Sequence, residues 1–409
     1  MNLISTNQDF KKKLQERFIR YVKIWSESDG KAADEGVFPS TERQFDFARI
    51  LEEELKSLGA QNVELDKNCY LYAYIPGTEN SSDNKNHNEN QNQASSVLLM
   101  AHMDTVDEVS GKDVNPQIAK NPADFTDESD TIITTDGTTL LGADDKAGIT
   151  VIMTALEYLN EHPELPHSAF EIMFSPDEET GHGMDRVPLE KIRSKCAVTV
   201  DGGDLGEMET ECFNAFASTV TFTGKAAHTG NARESHMVNA VSMASAFVNQ
   251  LPHTMTPETT DNFQGFIAPM SINGTIESAS VELLLRSFNM EEIEKEKKII
   301  TAVAEAAALS FGGKAEVTFK QQYLNMKEKL LQSPEITERL TKAFNLAGVP
   351  IVNKPIRGGT DGSRLTEMGI PTPNIFTGAH EFHSRNEWLS LNQCCKSADV
   401  IVNLLTQKM

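Results

Sequence analysis

The chain has 409 residues, 39% of them hydrophobic and 24% charged, which is enough to bury a full core and to build two domains. A formal charge of −23 and a pI near 4.9 exclude a broad phosphate-binding surface, which needs clustered Lys and Arg, so nucleic acid is not an expected partner. The opening MNLISTNQDFKKK has no apolar core or small-residue cleavage site, and no stretch approaches the roughly 20 apolar residues that span a bilayer. A cytoplasmic protein without a membrane partner is expected. Cys69, Cys196, Cys212, Cys394 and Cys395 form no CxxC pair and read as reduced, mostly buried thiols.

Residues 41–58 repeat apolar positions at helical spacing (Phe45, Ala48, Leu51, Leu55 and Leu58), and 69–75 reads as a strand. Residues 79–96, ENSSDNKNHNENQNQASS, are too polar to offset their ordering entropy and are expected to form a disordered surface loop. Short apolar runs at 97–101, 169–174 and 197–200 read as strands, with an amphipathic helix through Ile149, Ile152, Met153, Leu156 and Leu159. This alternation predicts an α/β catalytic domain, a mostly parallel sheet with helices on both faces. Its ligand site should lie at the carboxyl ends of the strands.

From Phe213 the pattern changes. Strands expected at 218–222, 268–272, 280–285 and 315–319, with helices near 237–250 and 290–310, predict a smaller α+β domain inserted at 212–322. A helix at 334–347 and strands near 351 and 373 return to the first pattern, so the catalytic domain is expected to comprise 1–211 and 323–409.

Acids and imidazoles follow the expected strands. AHMDTV places His102 at a strand end with Asp104 two residues on, a spacing that lets a carboxylate orient a ligating imidazole. LGADDKAG (141–148) opens a helix with Asp144 and Asp145, which read either as ligands able to bridge two ions or as helix caps. SPDEETGHG (175–183) sets Glu178 beside Glu179, and adjacent carboxylates suit a site that needs both a ligand and a general base. Asp201 ends the TVDGG strand. In AHEFHSRNE (379–387), His380 and His383 are one residue short of the HExxH zinc-helix spacing. Two His, two Asp and one Glu from dispersed segments argue together for a two-metal hydrolase.

The ordered set FPSTERQ (38–44), AHMDT, LGADDKAG, SPDEETGHG, TVDGG, MVNA (237–240), PIRGGTDGSRL (355–365) and PTPNIFTG (371–378) resembles the peptidase T family of co-catalytic zinc metallopeptidases. The resemblance implies that His102, Asp144 and Asp201 bind one zinc and that Asp144, Glu179 and His383 bind the other. It further implies that Asp104 orients His102, that Glu178 is the general base, and that the Asp144–Asp145 bond is cis. His228, in GKAAHTG, takes the place of a lid histidine that reaches the partner subunit's site, which implies a homodimer through a lid and dimerisation domain. Arg286, Gly358, Gly359 and Thr360 take the places of substrate contacts. Two Zn2+ ions per subunit are expected, with manganese or cobalt as alternatives, and short peptides as substrates, the N-terminal residue of tripeptides being released. The chain departs from the family at RSFN (286–289) and at AHEFHSRNE, which adds His380. The rival readings are hydrolysis of another amide, a dipeptide or an N-acyl amino acid, and a non-catalytic metal-binding homologue.

Overall fold

The structure, a computed structural model, describes residues 3–78, 97–119 and 129–407; the loop expected at 79–96 lies outside the described residues. The chain forms two compact units, one of Met1–Thr210, Glu328–Lys354 and Thr360–Met409, the other of Glu211–Lys327 and Pro355–Gly359. The second unit takes in a segment beyond the 212–322 span because Arg357 is tied to the loop before β10. Its Nη1 donates to the carbonyls of Asn262 and Gln264, both at 2.8 Å, and its Nη2 to Thr260 Oγ1 at 3.0 Å.

In chain order the strands are β1 (Gln61–Leu65), β2 (Leu71–Ile75), β3 (Leu98–His102), β4 (Gln117–Ala119), β5 (Ile132–Thr134), β6 (Phe170–Ser175), β7 (Ala197–Gly202) and β8 (Glu207–Glu209). They continue with β9 (Asn214–Thr223), β10 (Phe266–Gly274), β11 (Ser278–Ser287), β12 (Lys314–Tyr323), β13 (Val352–Asn353), β14 (Asn374–Phe376), β15 (Ala379–His380) and β16 (Trp388–Ser390).

The main sheet of the first unit has the order β1-β2-β6-β3-β7-β14-β8-β13. β3 runs parallel to both β6 and β7, and β14 runs parallel to β7, while β1 and β2 pair antiparallel at one edge. The α/β expectation therefore holds, with the parallel strands at the centre. β3 is entirely buried, and Leu98 and Met100 pack with Tyr70, Met173, Met184 and Leu365. The strand runs one residue beyond the expected 97–101, to His102, which pairs in register with Ser175. That register sets the first imidazole beside the acidic loop after β6.

The helix Ala143–Glu161 lies directly on this sheet. Gly148 makes the approach possible, since a Cβ there would stand 1.8 Å from the Val200 carbonyl oxygen. The close seat delivers Asp144 and Asp145, at the start of the helix, to the ends of β3 and β7. The C-terminal helix Leu391–Leu405, capped by Ser390, is buried along nearly its whole length, with Asn392, Gln393 and Lys396 half-buried on one side.

The second unit is a four-stranded antiparallel sheet of order β10-β11-β9-β12, carrying the helices Ala240–Gln250 and Met290–Phe311. Val220, Phe222, Phe247, Val281, Leu283, Ile293 and Ile300 build its core. Asn289 caps the second helix by accepting from the Glu291 N–H, and Gly312, at φ 74°, ends it in the left-handed conformation. Among the described residues no helix is long and apolar enough to cross a membrane.

Glu296, inside this second core, is 1% exposed, and neither of its carboxylate oxygens has a hydrogen-bond partner. Burial, followed by the nearby Glu292 charge, pushes its carboxyl up to about 8. The folded state thus holds its proton more tightly than the unfolded chain, and stability falls as pH rises from about 4.5 to about 8. Glu296→Gln should raise the melting temperature at pH 9 and change it little at pH 5, a gain of about 1–2 kcal/mol; thermal melts at the two pH values check this.

Candidate active site

The ends of β3, β6 and β7 bring the expected ligands of the first unit together. His102 is 2% exposed and Asp104 fully buried. The His102 Nδ1–H donates to the Asp104 carbonyl at 3.1 Å, with Asp104 Oδ1 3.4 Å away. Nε2 lies within hydrogen-bond distance of Asp144 Oδ1 at 2.9 Å, with Asp201 Oδ1 3.5 Å away. His383, half-exposed on the loop between β15 and β16, aims Nε2 at Asp144 Oδ2 (3.3 Å) and Glu179 Oε2 (3.1 Å). Asp144 thus presents one oxygen to each imidazole. The Asp144–Asp145 bond is cis.

Backbone clamps hold these groups in place. Asp104 accepts the Glu178 N–H at 3.0 Å and the Glu179 N–H at 3.2 Å, one on each carboxylate oxygen, so the acid beside His102 also pins the acidic loop. Asp177, at φ 54°, accepts from the Ser40 N–H at 2.6 Å, Ser40 Oγ at 2.5 Å and Gln44 Nε2 at 2.7 Å. The FPSTERQ motif therefore serves the site by holding the start of the same loop. Asn374 accepts the Asp201 N–H at 3.0 Å and donates to buried Glu209 at 2.6 Å. Asp361 accepts from Ser175 Oγ at 2.5 Å and packs so closely on Gly183 that a Cβ there would stand 2.3 Å from its Oδ1.

Electrostatics test the cluster for a cation. Burial, then the Asp144 charge, pushes Glu179 up to about 8, and burial pushes Asp201 up to about 6. Glu178 is raised well above the usual carboxylate range, chiefly by burial, with Asp201, Asp361 and Glu179 adding repulsion. The Asp144 and Glu179 carboxylates push His383 up to about 11. Glu179 Oε1 is buried without a hydrogen-bond partner, and His102 Nε2 lies among the carboxylates of Asp144 and Asp201. Ligand atoms of His102, Asp145 and Asp201, and of His102, Asp144 and Glu179, lie within 4.8 Å of one another. Nitrogen and carboxylate donors converging with too little positive charge fit divalent cations, which would neutralise the cluster and take up the orphan oxygen.

The remaining expected residues lie elsewhere or do other work. His228, Arg286, Gly358 and Gly359 belong to the second unit. His228 is exposed, and its Nδ1 accepts the Gly230 N–H at 3.1 Å. Arg286 donates through Nη1 to the Leu285 carbonyl at 3.0 Å and lies 5.6 Å from the Tyr323 ring centre. Gly359 is covered by that ring, 2.5 Å from where a Cβ would stand. Thr360, in the first unit, caps the helix Asp361–Glu367 by accepting the Ser363 N–H at 3.3 Å. His380 stacks on Trp388 at 3.9 Å and reaches Asp204 at 2.9 Å, which gives this added imidazole a packing role. Asp361, Asn374 and Glu387 escaped the sequence reasoning because each acts through a partner more than 150 positions away. The only local signal was their presence inside quoted motifs.

A parallel sheet whose strand ends gather two imidazoles around a shared carboxylate defines a metal-dependent hydrolase. The chain belongs to the peptidase family M20/M25/M40, whose model matches residues 98–407, and it is a peptide hydrolase. It is 40% identical to Peptidase T of Clostridium perfringens, over 96% of this chain and 98% of the relative. It is likewise 40% identical to Peptidase T of Geobacillus thermodenitrificans, over 97% and 98%. It shares its fold with aminopeptidase PepT from Bacillus cereus, at TM-score 0.76 and 23% identity over 97% and 98% of the two chains. A Bacillus subtilis protein described as a dinuclear metal-binding peptidase from the M20 family matches at TM-score 0.67 and 14% identity, over 98% of each chain.

Because Asp104 serves both the imidazole and the acidic loop, Asp104→Asn should weaken metal binding by about 10–100-fold. Metal titration of the stripped protein measures this; an unchanged affinity would remove Asp104 from the site.

Proposed function

We propose that this chain is a di-zinc aminopeptidase of the cytoplasm that releases the N-terminal residue of tripeptides. The observation that carries the reading is Asp144, with one oxygen toward His102 and the other toward His383, and with Glu178 close by but outside both ligand sets. The relatives named Peptidase T support the peptide substrate. His102, Asp144 and Asp201 would hold one ion, and Asp144, Glu179 and His383 the other. Nitrogen and oxygen donors suit zinc, and the same set accepts manganese or cobalt. When bound, the two ions would acidify a water and polarise the scissile carbonyl.

The chain's own groups do the rest. Glu178, whose carboxyl is raised by burial, takes the proton of the attacking water on its carboxylate and returns it to the leaving amine nitrogen. Asp104 keeps the Nδ1–H of His102 engaged so that Nε2 stays free to ligate. In this reading His228 from a partner copy steadies the oxyanion, and Arg286, Gly358, Gly359 and Thr360 are the residues that receive the peptide and its terminal carboxylate. β10, an edge strand with Met270 62% and Ile272 48% exposed, is suited to pairing with a second copy in a homodimer.

Glu178→Gln should lower kcat by about 10²–10⁴-fold while metal content stays at the parent level; retained turnover excludes Glu178 as the base. On a panel of substrates, tripeptides with a free N-terminus should be cleaved faster than dipeptides, N-acetylated tripeptides or N-acyl amino acids. Equal or faster turnover of N-acyl amino acids would favour the wider amide hydrolase.

A further inference from the structure

Glu387 closes the AHEFHSRNE motif and belongs neither to the ligand sets nor to the proton transfer. Its side chain is completely buried, and a buried carboxylate needs donors. It finds them in the backbone turn that carries Asp144. The Gly142 N–H donates to Oε2 at 2.6 Å and the Asp144 N–H to Oε1 at 3.1 Å, with the Ala143 N–H as a further donor. Consecutive N–H groups converging in this way form an anion nest, and here the anion is a side chain of the same protein.

The turn is built for that occupant. Gly142 adopts φ 76°, and a Cβ there would stand 3.2 Å from Thr105 Cγ2 and 3.6 Å from Lys146 Nζ. Lys146 is itself buried and donates to the Ile24 carbonyl at 2.6 Å; burial draws its amine down to about 7, with the nearby Glu387 opposing that shift. The two oxygens of Glu387 therefore span N–H groups two residues apart, which one amide oxygen could not do. Glu387 also lies four residues after His383, so one carboxylate links the loop bearing His383 to the turn bearing Asp144.

We infer that Glu387 is a positioning residue of the metal site, fixing the backbone from which Asp144 reaches between His102 and His383. This rests on the proposed ligand sets. Without the clamp, the Gly142–Asp144 amides would turn toward water, and the two ligand segments would lose their fixed separation.

The test uses the full chain, stripped of metal and titrated with zinc alone, with the metal-free melting temperature recorded alongside. Glu171 serves as a matched control, because it too is fully buried and clamps backbone, accepting the Arg193 N–H at 3.0 Å and the Ser194 N–H at 2.6 Å, but outside the site. Glu387→Gln should weaken zinc binding by about 10–100-fold, whereas Glu171→Gln should lower the metal-free melting temperature and leave zinc affinity at the parent value. If Glu387→Gln does not fold, Glu387→Asp, which keeps the charge but falls short of the turn, is read by the same criterion. Parent-like zinc affinity in the Glu387 variant overturns the inference while leaving the ligand sets standing. Failure of the parent to take up zinc would overturn the ligand sets, and this inference with them.

Discussion

The first unit is organised around an electrostatic conflict. Asp144, Asp145, Glu179 and Asp201 are drawn together beside two imidazoles in a space from which water is largely removed, and burial raises the cost of each negative charge. Hydrogen bonding alone does not relieve it, since one oxygen of Glu179 has no partner. Such a cluster is held together by the surrounding fold and neutralised by cations, and the rest of the unit serves the first of these tasks.

The acids of the site accordingly fall into two groups that differ in what they face. Asp144, Glu179 and Asp201 face one another and the imidazoles. Asp104, Asp177 and Glu387 turn instead toward donors on neighbouring segments: the N–H groups of Glu178 and Glu179, the Ser40 backbone and hydroxyl, and the Gly142–Asp144 turn. The first group creates the repulsion and the second restrains it. A carboxylate holding two N–H groups is a stiff clamp because charge-assisted hydrogen bonds are short and directional.

The candidate site was legible in the sequence where an acid or an imidazole falls within a few residues of the end of an apolar run, as His102, Glu178, Glu179 and Asp201 do. A strand end leaves little choice about where the next residues go. It was illegible where a residue acts across the chain. Asn374 lies in a quoted motif, yet its hold on Asp201 spans 173 positions, and no local pattern announces that pairing. Of the fold, the central strands and the inserted sheet could be read from their periods. The Leu391–Leu405 helix was not among the expected elements, although Asn392, Lys396, Asp399 and Asn403 recur at helical spacing.

The sequence by itself determined that this is an acidic, two-part α/β chain whose imidazoles and carboxylates follow strand ends, and that these residue types suit a pair of divalent ions. Those properties follow from composition, period and donor chemistry, which are local. Only the tertiary structure decided which oxygen of Asp144 faces which imidazole, that Asp104 serves a ring and a loop at once, and that Glu387 fills the nest beneath Asp144. These depend on strand register and on contacts between segments far apart in the chain, where a single step of pleat reverses every side chain.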